Sequence, residues 1–257
     1  MKLIPLPAYT DNYIWLLHDD RHALVVDPGD SKVVLAWLEQ NPLVHLDTIL
    51  VTHHHADHTG GLADLCAHTG AQVYGPAMEV LPVNCTGLKE GDLFAWHGLD
   101  WQVIDVPGHT AGHIAFWGTP AQQDPVLFCG DTLFSAGCGR LFEGTPAQML
   151  DALDRLSLLP GRTRVCPAHE YTLSNLKFAL TIDPDNSALQ THQRLCAELR
   201  QQEQPTLPVH LSIELDINPF LRSRSQAVAA AVQRHDASAV DDVSTFAALR
   251  TWKNEFK

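Results

Sequence analysis

Apolar residues along this chain fall into two textures. Up to about residue 170 they form short runs cut by turn residues, and beyond it they recur at helical spacing. Ala23-Leu24-Val25-Val26-Asp27 is an apolar run stopped by Pro28-Gly29, which predicts a strand. Residues 33–41 then place Val34, Leu35 and Leu38 on one side of a predicted helix. Another strand is predicted over 47–52, running straight into His53, followed by a helix over 61–68 and an extended stretch over 71–74. Residues 101–106 alternate Trp, Val and Asp with Gln, Ile and Val, the period-two pattern of a strand. Further strands are predicted over 113–117, 126–129 and 164–166. Between them, Thr145-Pro146 offers an N-cap and a proline at the first helical position, ahead of Met149, Leu150, Leu153 and Leu156.

The second texture predicts helices over 172–182, 187–202, 225–235 and 244–256, with Ser187-Ala188-Leu189-Gln190 as a capping-box start. The organisation expected is a mixed α/β domain over residues 1–173 and a helical domain over 174–257. No internal repeat or low-complexity tract interrupts either part.

Composition excludes several classes. A chain with 45% hydrophobic and 18% charged residues is an ordinary globular protein, not a disordered one. Its formal charge of −13 argues against nucleic acid or an anionic membrane as partner, because both need basic residues to neutralise phosphate. That charge is unevenly spread: residues 1–221 hold 11 basic and 26 acidic side chains, whereas 222–257 hold 6 and 4. An anionic ligand therefore belongs near the C-terminal end. The six cysteines (Cys66, Cys85, Cys129, Cys138, Cys166 and Cys196) form no CxxC pair and lie in apolar surroundings, so they read as free thiols of a reducing compartment. Pro5, Pro7 and Asp11 interrupt any apolar leader, and no run approaches the ~18 apolar residues of a membrane span. A soluble cytoplasmic monomer is the expectation. The 15 histidines are the anomaly, since neutral imidazole is the commonest metal ligand.

Six of them concentrate in motifs. In Thr52-His53-His54-His55-Ala56-Asp57-His58, His53 and His55 are two apart on an extended segment and project to one face, with His54 on the other. Where the chain turns towards the next helix, Asp57 and His58 can come round to the same side. Gly108-His109-Thr110, Gly130-Asp131-Thr132 and Ala168-His169-Glu170 each follow a predicted strand, so three strand ends deliver one potential ligand apiece beside small residues. Such a donor set suits zinc, iron or manganese. By parity His54, and by its place at the start of a strand His113, are assigned to supporting roles. His18, His22, His45, His68, His97, His192, His210 and His235 have no partner motif and read as surface or packing residues.

His-x-His-x-Asp-His at 53–58, followed in order by His109, Asp131 and His169, resembles the metallo-β-lactamase superfamily. The resemblance implies an αβ/βα sandwich of two mixed sheets with helices outside and a two-metal site at one edge. It implies that His53, His55 and His109 bind one ion, that Asp57, His58 and His169 bind the other, and that Asp131 bridges them. Two divalent ions, with zinc the first expectation and iron or manganese the alternatives, can acidify a bridging water from pKa 15.7 to about 7 and polarise a carbonyl. A thioester then needs no dedicated general acid, because a thiol of pKa about 8.5 leaves as thiolate. Asp57, close to the bridging position, could accept a hydrogen bond from the attacking hydroxide.

Other segments narrow the substrate. Thr10-Asp11-Asn12-Tyr13, Asp27-Pro28-Gly29, the run from Gly137 to Gly144, His169-Glu170-Tyr171-Thr172 with Asn175-Leu176-Lys177-Phe178, and Asn218-Pro219-Phe220-Leu221-Arg222 resemble the glyoxalase II (hydroxyacylglutathione hydrolase) family. This likeness runs over essentially the whole chain, the helical C-terminal part included. It implies hydrolysis of S-(2-hydroxyacyl)glutathione, foremost S-D-lactoylglutathione to D-lactate and glutathione, as in methylglyoxal detoxification. It also implies that Arg250 and Lys253, at i and i+3 of a helix, grip the glycine carboxylate of glutathione, and that Tyr171 lies near the thioester limb. Arg140 and Phe142 stand where many relatives have Lys and Tyr, changing donor geometry at one place and removing a hydroxyl at the other.

Four other functions are weighed against this one. A tRNA-processing nuclease of the superfamily would need a broad basic surface, which −13 opposes. A persulfide dioxygenase would use one iron and lack the C-terminal helices. A lactonase would lack the glutathione-contact segments, and a metal-storage protein would cluster its histidines in a tract.

Overall fold

The computed structural model of the protein describes residues 1–119 and 123–256. Lys257, the last residue of the expected helical domain, lies outside the described residues. The chain divides into two compact units, one made of Met1–Asp105 with Gly112–Gly130 and the other of Val106–Ala111 with Asp131–Lys257.

The first unit is built on two sheets. Strands β1 (Lys2–Ala8), β2 (Asn12–His18), β3 (His22–Val26), β4 (His45–Leu50), β5 (Gln72–Pro76) and β6 (Thr86–Leu88) lie in that order in one sheet. Pairing is antiparallel from β1 to β3 and parallel from β3 to β6. Parallel neighbours need crossovers, and these are helix α1 (Ser31–Gln40) between β3 and β4, then α2 (Ala56–Thr59) and α3 (Leu62–Thr69) between β4 and β5. Val34, Leu62 and Leu65 pack with Leu16, Val25 and Ile49 in one buried cluster, so the helices cover one face of the sheet. The second sheet of this unit is an antiparallel array of β7 (Leu93–Trp96), β8 (Leu99–Asp105), β9 (Ile114–Thr119) and β10 (Val126–Gly130). Aromatic rings join the two sheets: Tyr74 of β5 stacks on Phe94 of β7 at 5.0 Å, and within the second sheet Phe94 meets Phe116 of β9 edge-on.

Strand β1 is not predicted, because its Pro5 and Pro7 look like breakers. It is the edge of its sheet and pairs only with β2, so the missing N–H groups cost no ladder bond on its outer side.

The second unit is mainly helical. A hairpin of β11 (Leu133–Phe134) and β12 (Gly137–Cys138) precedes α4 (Pro146–Ser157), which starts with a full capping box between Thr145 and Gln148. Strand β13 (Arg164–Pro167) leads to α5 (Thr172–Ile182) and α6 (Ser187–Gln201), and β14 (Val209–His210) pairs with β13. Three more helices follow: α7 (Leu211–Ile217), α8 (Gln226–His235) and α9 (Asp242–Glu255). Leu176 and Ala179 of α5, Leu189 and Cys196 of α6 and Ile217 of α7 share one core with Ala136.

Two helix starts differ from expectation. The N-cap of α6 is Asn186, whose Oδ1 accepts the Leu189 N–H at 3.0 Å, so Ser187 is already helical and no Ser187–Gln190 box forms. Helix α9 begins two residues earlier than predicted, because Asp241 is its cap and Ser244 is the third helical residue that reaches back to it. Helix α7 is absent from the prediction. It is seven residues long and carries Glu214, a fully buried carboxylate. Ser135 Oγ, the Ala136 N–H and Asn218 Nδ2 all donate to Glu214 at 2.8–2.9 Å, and Asn218 Nδ2 also reaches the carbonyls of Phe134 and Gly137. These bonds satisfy the polar groups of the 133–138 hairpin, which lies in the chain between Asp131 and Arg140.

All six cysteines are free thiols, four of them buried and Cys66 and Cys85 partly exposed. Among the described residues no helix is long and apolar enough to cross a membrane.

Candidate metal centre

In the first unit the donors follow β4. Strand pairing continues past Leu50, with the Val51 N–H bonded to the Tyr74 carbonyl and the Thr52 carbonyl accepting the Ile114 N–H, so the segment enters His53 held on both sides. Buried Asp27, at the end of β3 with a φ of 53°, accepts Thr52 N–H and Thr52 Oγ–H at 2.7 Å each. Having spent its only proton on Asp27, the Thr52 hydroxyl can only accept from His53 Nδ1, 3.0 Å away. That sets the His53 tautomer and leaves the Nε2 lone pair facing His55 Nδ1 at 3.1 Å.

The single helical turn of α2 then brings Asp57 and His58 round to His53, as the sequence suggests: the His53 and His58 ring centres are 4.1 Å apart. Asp27 Oδ2 also lies 3.1 Å from His58 Nδ1, which orients His58 so that its Nε2 faces Asp57 Oδ2 at 3.4 Å. A lone pair and a carboxylate oxygen at that separation are both electron-rich, and a cation between them would satisfy both. Asn12 Nδ2 donates to the same Asp57 oxygen at 3.0 Å. Asp27, His53 and His58 are within reach of one ion, all three buried. His54 and His113 have other neighbours. His54 Nδ1 turns away to Glu79 Oε2 at 3.0 Å, and His113 stacks on His53 with centres 4.6 Å apart. At Gly130 (φ 48°) a Cβ would strike Thr52 and His113, so only glycine leaves room for this packing.

In the second unit, Asp131 is flanked by two imidazoles. Its Oδ2 is 3.3 Å from His109 Nε2 and its Oδ1 is 3.3 Å from His169 Nε2. His109 Nδ1 points at the Arg140 carbonyl, 2.9 Å away, so the proton belongs on Nδ1 and the lone pair on Nε2. The ring of Tyr171 lies flat on His169 at 4.7 Å, and Phe142, 62% exposed, meets His109 edge-on at 5.2 Å. At Gly139 any Cβ would collide with the Asp131 carbonyl, which explains the glycine there.

The basic pair on α9 behaves unlike a solvated helix face. Arg250 is buried, donates from Nη1 to the Cys138 carbonyl at 2.6 Å, and lies over Phe220; among the described residues its Nε has no hydrogen-bond partner. Half-buried Lys253 reaches the Ser174 carbonyl and hydroxyl at 3.3 and 3.4 Å. Burial, followed by Arg250, Arg140 and Lys177, pushes the Lys253 amine down to about 8. Four cations thus share one neighbourhood, an arrangement that calls for an anion. Asp27 and Asn12 carry no site role in the sequence motifs, although both lie in segments that resemble the family and Asp27 directly follows an apolar strand.

A sequence family described as the metallo-β-lactamase superfamily matches residues 10–169, and one described as the hydroxyacylglutathione hydrolase C-terminus matches residues 170–256. The hydroxyacylglutathione hydrolase of Albidiferax ferrireducens is 62% identical over 256 residues, spanning 100% of both chains. This chain belongs to the hydroxyacylglutathione hydrolase family. A second member of that family, from Pseudomonas aeruginosa, is 52% identical over 259 residues, again covering 100% of each chain. Among solved structures, ETHE1 from Myxococcus xanthus is 31% identical with a TM-score of 0.58 over 66% of this chain and 76% of its own. The BLEG-1 B3 metallo-β-lactamase shares the fold at 23% identity, TM-score 0.61, over 86% of this chain and 98% of its own. The metallo-β-lactamase fold with a helical C-terminal region is thereby established, and the family together with the His/Asp donors makes the protein a metal-dependent hydrolase.

Proposed function

We propose that this hydroxyacylglutathione hydrolase family member cleaves S-(2-hydroxyacyl)glutathione thioesters, with S-D-lactoylglutathione as first substrate and D-lactate and glutathione as products. His53, His55 and His109 would hold one divalent ion, Asp57, His58 and His169 a second, and Asp131 would give one carboxylate oxygen to each. One observation carries the two-ion assignment: Asp131 turns separate oxygens towards His109 Nε2 and His169 Nε2, both at 3.3 Å. Zinc, iron and manganese all accept this donor set, with zinc favoured by its imidazole-rich character. When bound, such ions supply an acidified water and a Lewis acid for the thioester carbonyl.

The chain's own residues then do the rest. Asp27 and the Arg140 carbonyl hold His58 and His109 with their Nε2 lone pairs outward, so no reorientation is needed. Asp57, kept in place by Asn12, can accept a proton near the attacked carbon. Arg140, Arg250 and Lys253 offer positive charge to the carboxylates of glutathione, and Tyr171 and Phe142 present ring faces beside the thioester limb. Residues 1–173 would form the metal domain and 174–257 the glutathione-binding domain, in a cytoplasmic monomer.

The test is loss of thioester absorbance when metal-loaded protein meets S-D-lactoylglutathione, with metal content measured on the same sample. Turnover with two ions per chain is expected; a metal-replete protein without turnover would overturn the assignment.

A further inference from the structure

The strands that end at Asp27 and His53 carry a second His/Asp cluster at their other end. His22 opens β3, Asp47 is the third residue of β4, and His97 sits on the turn between β7 and β8. With β3 five residues long, its two ends are about 15 Å apart at ~3.3 Å per residue, so this cluster is separate from the donors that follow the strands. One ring nitrogen each of His22 and His97 and a carboxylate oxygen of Asp47 lie within 4.8 Å of one another.

Asp47 and His22 each have a partner that orients them from behind, and Asp47 in turn holds His97. Trp96 Nε1 donates to Asp47 Oδ1 at 2.7 Å, which leaves Oδ2 to meet His97 Nε2, also at 2.7 Å. Asp19 Oδ2 faces His22 Nδ1 at 3.4 Å, while its Oδ1 accepts the backbone N–H groups of Arg21 and His22. These bonds, the Arg21 N–H first, hold the Asp19 carboxyl down to about 2. An imidazole backed by a carboxylate, and a carboxylate fixed by an indole N–H, are how proteins preset metal ligands. The His22, Asp47 and His97 side chains are each about one-third exposed, so an ion has access from solvent and can complete its shell with water.

We propose that His22, Asp47 and His97 form a further divalent-cation site, apart from the hydrolytic centre, that takes zinc or another borderline ion. Two imidazoles and one carboxylate are the donor chemistry of such ions. The rings now lie face to face, centres 3.8 Å apart and 16° from parallel, so capture of an ion opens the stack for both lone pairs to reach it. Because His22 and Asp47 belong to the first sheet and His97 to the turn that joins β7 and β8 of the second, the ion staples the two sheets of the first unit at the end remote from the His53 motif. Its effect is on stability, by mass action, and not on turnover.

The experiment uses full-length protein whose hydrolytic centre is already loaded with zinc and freed of excess metal. Zinc uptake is then counted by native mass spectrometry and calorimetric titration for the wild type, His97→Gln and Asp47→Asn. One additional ion per chain in the wild type, lost in both variants, together with a zinc-induced rise in Tm seen only in the wild type, is the expected result. Equal uptake by all three proteins would show only a hydrogen-bonded His–Asp pair and would overturn the site. Should either variant fail to fold, His22→Gln makes the same comparison. Uptake is read as a difference between proteins that all keep the His53 motif, so absence of thioester turnover would count against the proposed hydrolysis and leave this result standing.

Discussion

Asp27 shows how much one unassigned residue can govern. Its two oxygens bind Thr52 and His58, and through Thr52 it also sets the tautomer of His53. In Asp27→Asn one oxygen becomes an NH2 that confronts donors, so the outward lone pairs of both histidines are lost. Metal affinity should fall about 10- to 100-fold, measured by chelator competition, with far less change in the apo-protein Tm. Unaltered affinity would contradict this role. Lys253 gives a second residue-scale prediction. Its amine, at about 8, sheds its proton as pH rises from 7 to 9, and the attraction for an anionic substrate fades with it. KM for the glutathione thioester should therefore rise through pH 8 with kcat little changed, by about tenfold for the loss of a charged hydrogen bond. Lys253→Arg should flatten that profile, and a rise in KM of equal size in the arginine variant would rule the lysine out.

At the scale of elements, the 133–138 hairpin matters because it carries the chain from Asp131 to Arg140, and α7 secures it through Glu214. Burial raises the Glu214 carboxyl from 4.5 to about 7. Between those values the folded protein keeps a proton that the unfolded chain has released, so raising pH through this window costs stability. Cys196, which also faces Glu214, is pushed up to about 12 by burial and stays neutral throughout. Glu214→Gln removes the penalty and can still serve the site, its amide NH2 donating to Ser135 Oγ and its carbonyl accepting from Ala136 and Asn218. The variant's Tm advantage should be larger at pH 8 than at pH 5; parallel Tm curves would refute the link. The same elements show where periodicity misleads. Helices α5 and α8 are legible because their apolar faces are local, as is the Ser225 cap of α8, whereas β1 is hidden by prolines that only an edge position tolerates. Helix α7 is hidden by its seven-residue length, less than two full turns.

For the whole molecule, bound ions are expected to add to stability, since the donors come from segments far apart in sequence and an unfolded chain cannot present them together. Removing metal with a chelator should lower Tm by about 10 °C, the effect of losing one ligand held at roughly a thousandfold over its dissociation constant. A Tm indifferent to chelator would mean that the donors bind metal too weakly to matter. What the sequence determined by itself was the chemistry. The His-x-His-x-Asp-His spacing, a potential ligand after each of three strands, and a basic C-terminal end in an acidic chain are all local patterns, and the proposed metal ligands and anion-binding residues rest on them. Tertiary structure decided the orientation of those groups. Asp27 and Thr52 are 25 positions apart, and His22 and His97 are further apart still, so neither contact leaves a trace in local spacing. For Arg250 and Lys253 the i and i+3 spacing placed two cations on one helix face but said nothing of their burial. Only packing against Phe220 and the Cys138 carbonyl buries the arginine, because burial depends on what the rest of the chain brings to a helix and not on the helix itself.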